Sequence, residues 1–242
     1  MTFSALQRPA SLVEEVSRRL AHTARQRASS GNRRLPPERK LAEMLGVSRT
    51  VVREATKRLE LQGLLEVRHG IGIQIVDRLH APLSGSLTLL LPNSKDRLRK
   101  LIEVRLIIEP ELARLAAERA TDADILLLRS HHQRLASAAD RDETILADME
   151  FHRAIARASR NEVAMLVLHS LSDLLQDSLT HGYDRVSPET AVRQHAEIME
   201  AIATRDPGAA AKAMLEHIIT ARQHLGLDPV SKKPRARALA KN

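Results

Sequence analysis

The 242-residue chain contains no cysteine and no tryptophan, and its aromatic residues number three: Phe3, Phe151 and Tyr183. Without cysteine, disulfides, thiolate nucleophiles and cysteine-ligated zinc sites are excluded. So few rings cannot build the stacking platforms that read single-stranded nucleic acid. A core must instead come from Leu, Ile, Val, Ala and Met, which suits helix packed on helix. No apolar run approaches the ~20 residues of a membrane span, and the N-terminus lacks the apolar stretch of a signal peptide. A cytoplasmic protein with no membrane partner is expected.

What is abundant is charge, unevenly placed. Residues 1–80 hold 15 Lys and Arg against 8 Asp and Glu, a net of +7; residues 81–228 hold 18 against 22, a net of −4; the last 14 residues add five cations and no acid, giving +8 in all. A basic first domain on a mildly acidic body points to an anionic polymer as partner of that domain only. The length suits two compact domains.

Residues Leu35–Val76 read as helix, tight turn, helix and hairpin. Leu35-Pro36-Pro37 and Glu38 are helix-start signals, and they predict a helix over Pro37–Leu45 with Leu41, Met44 and Leu45 facing inward. Gly46 supplies the sharp turn. A further helix is expected over Arg49–Gln62, packing through Val52, Ala55, Leu59 and Leu61 and stopped by Gly63. Leu64–Val67 and Ile73–Val76 form a hairpin around a glycine-containing tip. Upstream, Leu12, Val16, Leu20 and Ala24 mark one face of a helix over Ser11–Gln26. Three helices plus a hairpin make a winged helix-turn-helix over residues 1–78.

The start of the second of these Leu35–Val76 helices carries the chemistry of a DNA reader. Arg49 and Thr50 occupy its first turn and Arg53 the next, short polar and cationic groups able to reach base edges in a major groove. Arginine is the commonest reader of guanine, a good bidentate contact contributing ~1–3 kcal/mol of discrimination. Ser48 caps the helix or touches phosphate. Arg39 can reach phosphate or a base beside it, and His69 and Gly70 lie at the wing tip. Any one arginine can be merely a solvated charge; the constellation is specific.

LPPERKLAEMLGVSRTVVREATKRLELQGLLEVRHGIG resembles the winged-helix domain of the GntR superfamily of bacterial transcription regulators, with a nearly complete match to L-P-x-E-R-x-L-A-x-x-L-G-V-S-R-x-x-V-R-E-A. The resemblance implies that Arg39, Arg49, Arg53, His69 and Gly70 contact operator DNA. Val51 and Thr56 stand where the family often has Pro and Leu, which leaves the operator sequence open.

Beyond the hairpin, residues 79–94 contain Pro82, Gly85 and Pro92 and read as a linker with room for a short helix. Residues 95–228 are helical in pattern, with breaks near Thr121, Asp140, Arg160, Val186 and Asp206, giving roughly six helices and an all-α bundle. Thr121 and Asn161 read as N-caps. The basic stretch 229–242 is expected to be a disordered tail. The fold class is therefore mostly α: an N-terminal winged helix-turn-helix followed by an all-α helical bundle.

Asp148 and His152 stand four apart and share a helix face; His195 and His217 lie on two later helices, each among apolar residues. One carboxylate with three imidazoles suits a divalent transition metal, zinc first, with nickel and manganese as alternatives. By spacing, the Asp148–His152 pair is equally a surface or core hydrogen bond. Residues 98–225 are, however, similar to the all-helical FCD effector domain of the FadR-type branch, through EVRLIIEPELARLAAERAT, DMEFHRAIARASRN, HAEIMEAI and MLEH. That resemblance implies that Asp148, His152, His195 and His217 bind metal beside a cavity for a small carboxylic acid. Arg105 matches a position that often faces the effector and could clamp a carboxylate, or instead pair with Glu103 or Glu109. Asn161 fits a cap better than a ligand.

The reading is of a homodimeric regulator, a repressor first, on a double-stranded inverted-repeat operator, not an enzyme. The alternatives are a constitutive DNA binder whose second domain only dimerises, and a metal-dependent hydrolase. The hydrolase lacks a second base, because Glu150, two residues from His152, points elsewhere on a helix.

Overall fold

Ser11 opens the first helix by accepting a hydrogen bond from the Glu14 N–H at 3.2 Å. The computed structural model describes residues 11–68, 70–91, 94–179 and 188–227; His69 and the basic tail lie outside them. The chain divides into two compact units, residues 1–89 and 90–242.

The first unit contains α1 (Leu12–Ser29), α2 (Glu38–Leu45), α3 (Arg49–Leu61), the strands β1 (Leu65–Arg68) and β2 (Gly72–Ile75), and α4 (Ala81–Leu90), which runs into the second unit. Gly46 closes α2 at φ 66°, a left-handed conformation that glycine adopts without a Cβ penalty. Val52, Ala55 and Leu59 of α3 bury against Val16, Leu20 and Ala24 of α1, Leu41 of α2, and Ile73 and Ile75 of the hairpin. Each fully buried Leu, Ile or Val contributes about 1.5–3 kcal/mol. Three expected core positions are exposed instead: Leu12 at 53%, Met44 at 66% and Leu61 at 73%. The inward face of α2 is completed by Ala42, one residue round from Leu41, so Met44 turns outward.

The strands pair antiparallel with Leu65 opposite Ile75 and Arg68 opposite Gly72. The segment before α2, expected to be plain loop, adds an edge: Leu35 N–H donates to Ile73 O and Ile75 N–H to Arg33 O. Glu60 on α3 accepts from the Val67 N–H at 2.9 Å, tying the wing to the helix. The region expected to be linker holds α4, a ten-residue helix with Pro82 in its first turn, where a missing N–H costs nothing.

The second unit contains α5 (Ser94–Arg119), α6 (Asp122–Ala136), α7 (Arg141–Ala158), α8 (Glu162–Leu179), α9 (Pro188–Ala203) and α10 (Pro207–His224). The caps fall where the sequence placed them: Thr121 and Asp124 form a reciprocal capping box, and Asn161 accepts from the Ala164 N–H at 3.1 Å. α5 packs against α7, α8, α9 and α10, and α6 against α7 and α9. α7 is buried on most sides, with Phe151 and Ile155 at its centre. The break expected near Val186 falls outside the described residues.

Candidate DNA interface and metal centre

α3 begins at Ser48, whose hydroxyl accepts the Val51 N–H at 3.3 Å, the capping role expected of it. Arg49, Thr50 and Arg53 are all exposed. Arg49 and Arg53 form no ion pair among the described residues, and four-residue spacing puts both on one helix face. Arg39 is exposed but paired with Glu43 at 3.0 Å, so it must exchange that partner to meet a phosphate. Gly70 sits at the hairpin tip with φ 76°, next to a turn in which Ile71 N–H donates to Arg68 O. The first unit thus presents two free guanidiniums and a hydroxyl at the start of α3.

In the second unit, side chains far apart in sequence converge. Asp148 and His152 come from α7, His195 from α9 and His217 from α10, with one ligand atom of each within 4.8 Å of the others, and all four are buried. The Nε2 atoms of His152 and His217 are 3.2 Å apart, those of His195 and His217 3.3 Å. His195 Nε2 lies 3.2 Å from Asp148 Oδ1, and His152 Nε2 3.9 Å from Oδ2. Four donors tetrahedrally placed ~2.1 Å from one ion stand about 3.4 Å apart. Three imidazole nitrogens facing one another satisfy no hydrogen-bond pattern fully, whereas a shared cation satisfies all three lone pairs. The residues present therefore fit a divalent transition metal.

Two of the rings are steadied from behind. His152 Nδ1 is 2.5 Å from Glu109 Oε2, in contact although the ring N–H is not aligned on the oxygen. His217 Nδ1 is 3.3 Å from Gln194 Oε1, and Gln194 donates in turn to Thr220 Oγ1 at 3.0 Å. The Nδ1 of His195 is buried and has no hydrogen-bond partner among the described residues. Its ring is instead stacked on Phe151, with centroids 4.3 Å apart and planes 11° from parallel. Phe151 is the one aromatic ring among the described residues, and it lies against a ligand.

Arg105 turns from α5 onto Glu109, one turn along the same helix. Its Nε donates to Oε1, and its Nη2 to Oε2 at 3.4 Å. Both are almost wholly buried, Arg105 at 5% and Glu109 at 1% exposure. Arg105, Glu109, Asp148 and His152 border a small pocket closed by Leu168, Leu171, Ser172 and Leu175. Its free space is about 10 Å³, room for about one water.

Burial sets the charge states. It opposes ionisation of Glu109, but the Arg105 charge and then His152 outweigh it and bring the carboxyl down to about 2. Burial likewise opposes ionisation of Asp148, yet the His195 hydrogen bond and the surrounding imidazoles hold it far below the usual carboxylate range. Burial pushes His195 down against the pull of Asp148. It pushes His217 well down, helped by the charges of His195 and His152. The site thus favours neutral imidazoles and ionised carboxylates, the forms that bind metal.

Glu109, Gln194 and Phe151 were not among the site residues expected from sequence. Glu109 was visible only as a possible partner of Arg105. Its contact with His152 joins two helices 43 residues apart, which no local spacing reveals.

Comparison with known proteins agrees with this division. Residues 12–75 match the model of the bacterial regulatory proteins of the gntR family, and residues 100–220 match the FCD domain. The Uxu operon transcriptional regulator of Escherichia coli is 34% identical over 202 residues, 79% of this chain and 78% of that protein. The putative L-lactate dehydrogenase operon regulatory protein of E. coli is 34% identical over 220 residues, 87% of this chain and 84% of that protein. Among solved structures, Streptococcus agalactiae GntR matches with a TM-score of 0.71 at 31% identity, covering 87% of this chain and 99% of that one.

Proposed function

Because this chain belongs to the gntR family of bacterial regulatory proteins and carries an FCD domain, and is thus a transcriptional regulator rather than an enzyme, we propose that it is a cytoplasmic, homodimeric repressor released from its operator by a small carboxylic acid. Two copies would set two α3 helices into successive major grooves of an inverted repeat, operator symmetry mirroring protein symmetry. Arg49, Thr50 and Arg53 would read bases, Ser48 and Arg39 would meet phosphate, and the tip with His69 and Gly70 would follow the neighbouring groove or backbone. No helix among the described residues is long and apolar enough to cross a membrane.

The carrying observation is the convergence of Asp148, His152, His195 and His217 inside the bundle of a chain whose other unit is a winged helix. FCD domains bind metal, and this cluster is able to hold one; zinc fits the donor set first, nickel and manganese next. Bound there, the metal supplies a Lewis-acidic position for a ligand oxygen. Arg105 borders the same pocket and offers it N–H donors. An acid binding there would alter operator affinity by its affinity difference between two arrangements of the protein, typically ~1–3 kcal/mol.

The test begins with metal analysis of the purified protein and selection of an operator from random duplexes. Operator binding is then measured with and without zinc and a panel of small acids. Lactate comes first in the panel, since one relative is named for an L-lactate dehydrogenase operon. Near one metal per chain and an acid that weakens operator binding support the proposal. An acid that binds with no change in operator affinity refutes the switch and leaves a constitutive DNA binder.

A further inference from the structure

On the effector-site reading just given, we infer that Glu109 withholds the charge of Arg105 from incoming acids, so that anion binding in the second unit is conditional on the metal. An arginine bordering a pocket beside a metal cluster looks like a preformed carboxylate clamp. The geometry says otherwise. The guanidinium edge formed by Nε and Nη2, the edge that would take a carboxylate with two bonds, is already on the two oxygens of Glu109. Neither group is near enough to solvent for water to screen the pair, and the pocket walls from α8 are mainly leucine. Of five guanidinium N–H donors, those on Nε and Nη2 face Glu109, and only the others can meet a ligand.

The charges around the pocket then sum simply. Arg105 contributes +1, Glu109 and Asp148 −1 each, and the three imidazoles nothing when neutral, leaving −1. A buried pocket of that sign repels a carboxylate, and a divalent ion on the cluster changes the sum to +1. Without Glu109 the metal-free sum would be zero and the arginine edge would be open. Glu109 touches both halves of the arrangement, Arg105 on its own helix and His152 on α7. Charge on α9 and α10 facing the cluster is confined to His195 and His217. Glu109 is therefore a positioning residue that makes the acid site answer to metal.

Calorimetric titration of acetate and glycolate, the simplest carboxylates without and with a neighbouring hydroxyl, tests this in the full chain. The comparison is of wild type and Glu109→Gln, each metal-free and zinc-loaded. Gln keeps the shape and a hydrogen-bonding oxygen but not the charge. Metal-free wild type should bind at least about tenfold more weakly than the zinc-loaded protein, and metal-free Glu109→Gln at least about tenfold more tightly than metal-free wild type. The doubly neutral Arg105→Gln/Glu109→Gln variant, which strands no buried charge, should keep wild-type zinc-loaded affinity within about fivefold. Equal binding by metal-free wild type and metal-free Glu109→Gln overturns the inference. So does a loss beyond about fiftyfold in the zinc-loaded double variant, since Arg105 would then be the clamp. Zinc-loaded wild type that binds no acid overturns the effector-site reading itself, a result distinct from either.

Discussion

Gly63 offers a prediction that can be worked from its surroundings. It follows α3 with φ 76°, and a Cβ placed there would lie 2.0 Å from the carbonyl oxygen of Arg78 and 2.6 Å from its carbonyl carbon. Those atoms cannot move aside freely, because Arg78 N–H donates to Gly63 O at 3.0 Å and fixes the two strands of chain together. Gly46 provides the control: φ is 66° and a Cβ there meets nothing within 4 Å. Alanine at either site carries the left-handed penalty of ~1–2 kcal/mol, partly offset by ~0.4–1 kcal/mol from a less free unfolded chain. Gly63→Ala adds an overpacking cost of ~1–3 kcal/mol. Gly46→Ala should therefore destabilise the first unit by roughly 1 kcal/mol and Gly63→Ala by roughly 3. The measurement is native-state amide exchange at Leu59, Leu64 and Val76, which reports this unit separately from the helical bundle. Equal losses for the two variants, or a smaller loss for Gly63→Ala, would refute the reasoning. Displacement of the wing should also make Gly63→Ala the poorer DNA binder after correction for the folded fraction.

Three further outcomes follow from the two sites. Arg49→Ala or Arg53→Ala should relax operator discrimination at one base pair by ~1–3 kcal/mol, measured against single-base operator variants; Arg39→Ala should weaken all sequences alike and lower the salt slope by about one. Metal-free protein should lose stability in two acid steps on a pH series of denaturant melts. Buried His195 and His217 have lowered folded pKa values, so the unfolded chain takes protons first as pH falls below 6.5 and stability declines there. Glu109, lowered from 4.5 to about 2, contributes fully above pH 4.5 and loses that contribution, at most ~3 kcal/mol, as pH falls toward 2; a stability flat from pH 8 to 5 would contradict the histidine step. Phe151→Leu removes the ring that steadies His195 and should weaken zinc binding ~10-fold in chelator competition, while an unchanged affinity would show that the stack is packing only.

The parts of the fold that are legible in the sequence are those set by neighbours along the chain. Gly46, the Ser48 cap, the Thr121–Asp124 box and the Asn161 cap each act within a turn of helix, so their residue types announce them. Which apolar residue faces inward is less local. Met44 and Leu61 fit a helical stripe but fall just past the edge of what α1 and the hairpin can cover. At the metal cluster the ligands carry a signal because imidazole and carboxylate are scarce inside a bundle. Their supports carry none. Gln194 adjoins His195 yet serves His217, since one residue's step around α9 turns it toward α10. Arg105 shows the same limit from the other side: its type suggested a ligand, and only the fold reveals that Glu109 has the first claim on it.

The donor set has a consequence for what kind of message this protein can receive. All four ligands are nitrogen or oxygen, and the chain contains no sulfhydryl anywhere. Peroxide or nitrosative stress ejects metal from sites held by sulfur, because the oxidised atom no longer coordinates. Imidazole and carboxylate offer no such fuse. Metal at Asp148, His152, His195 and His217 would stay in place through oxidant exposure and leave only by proton competition, chelation or exchange with another ion. The second unit is thus wired to supply of metal and of acid, and deaf to the redox state of the cell.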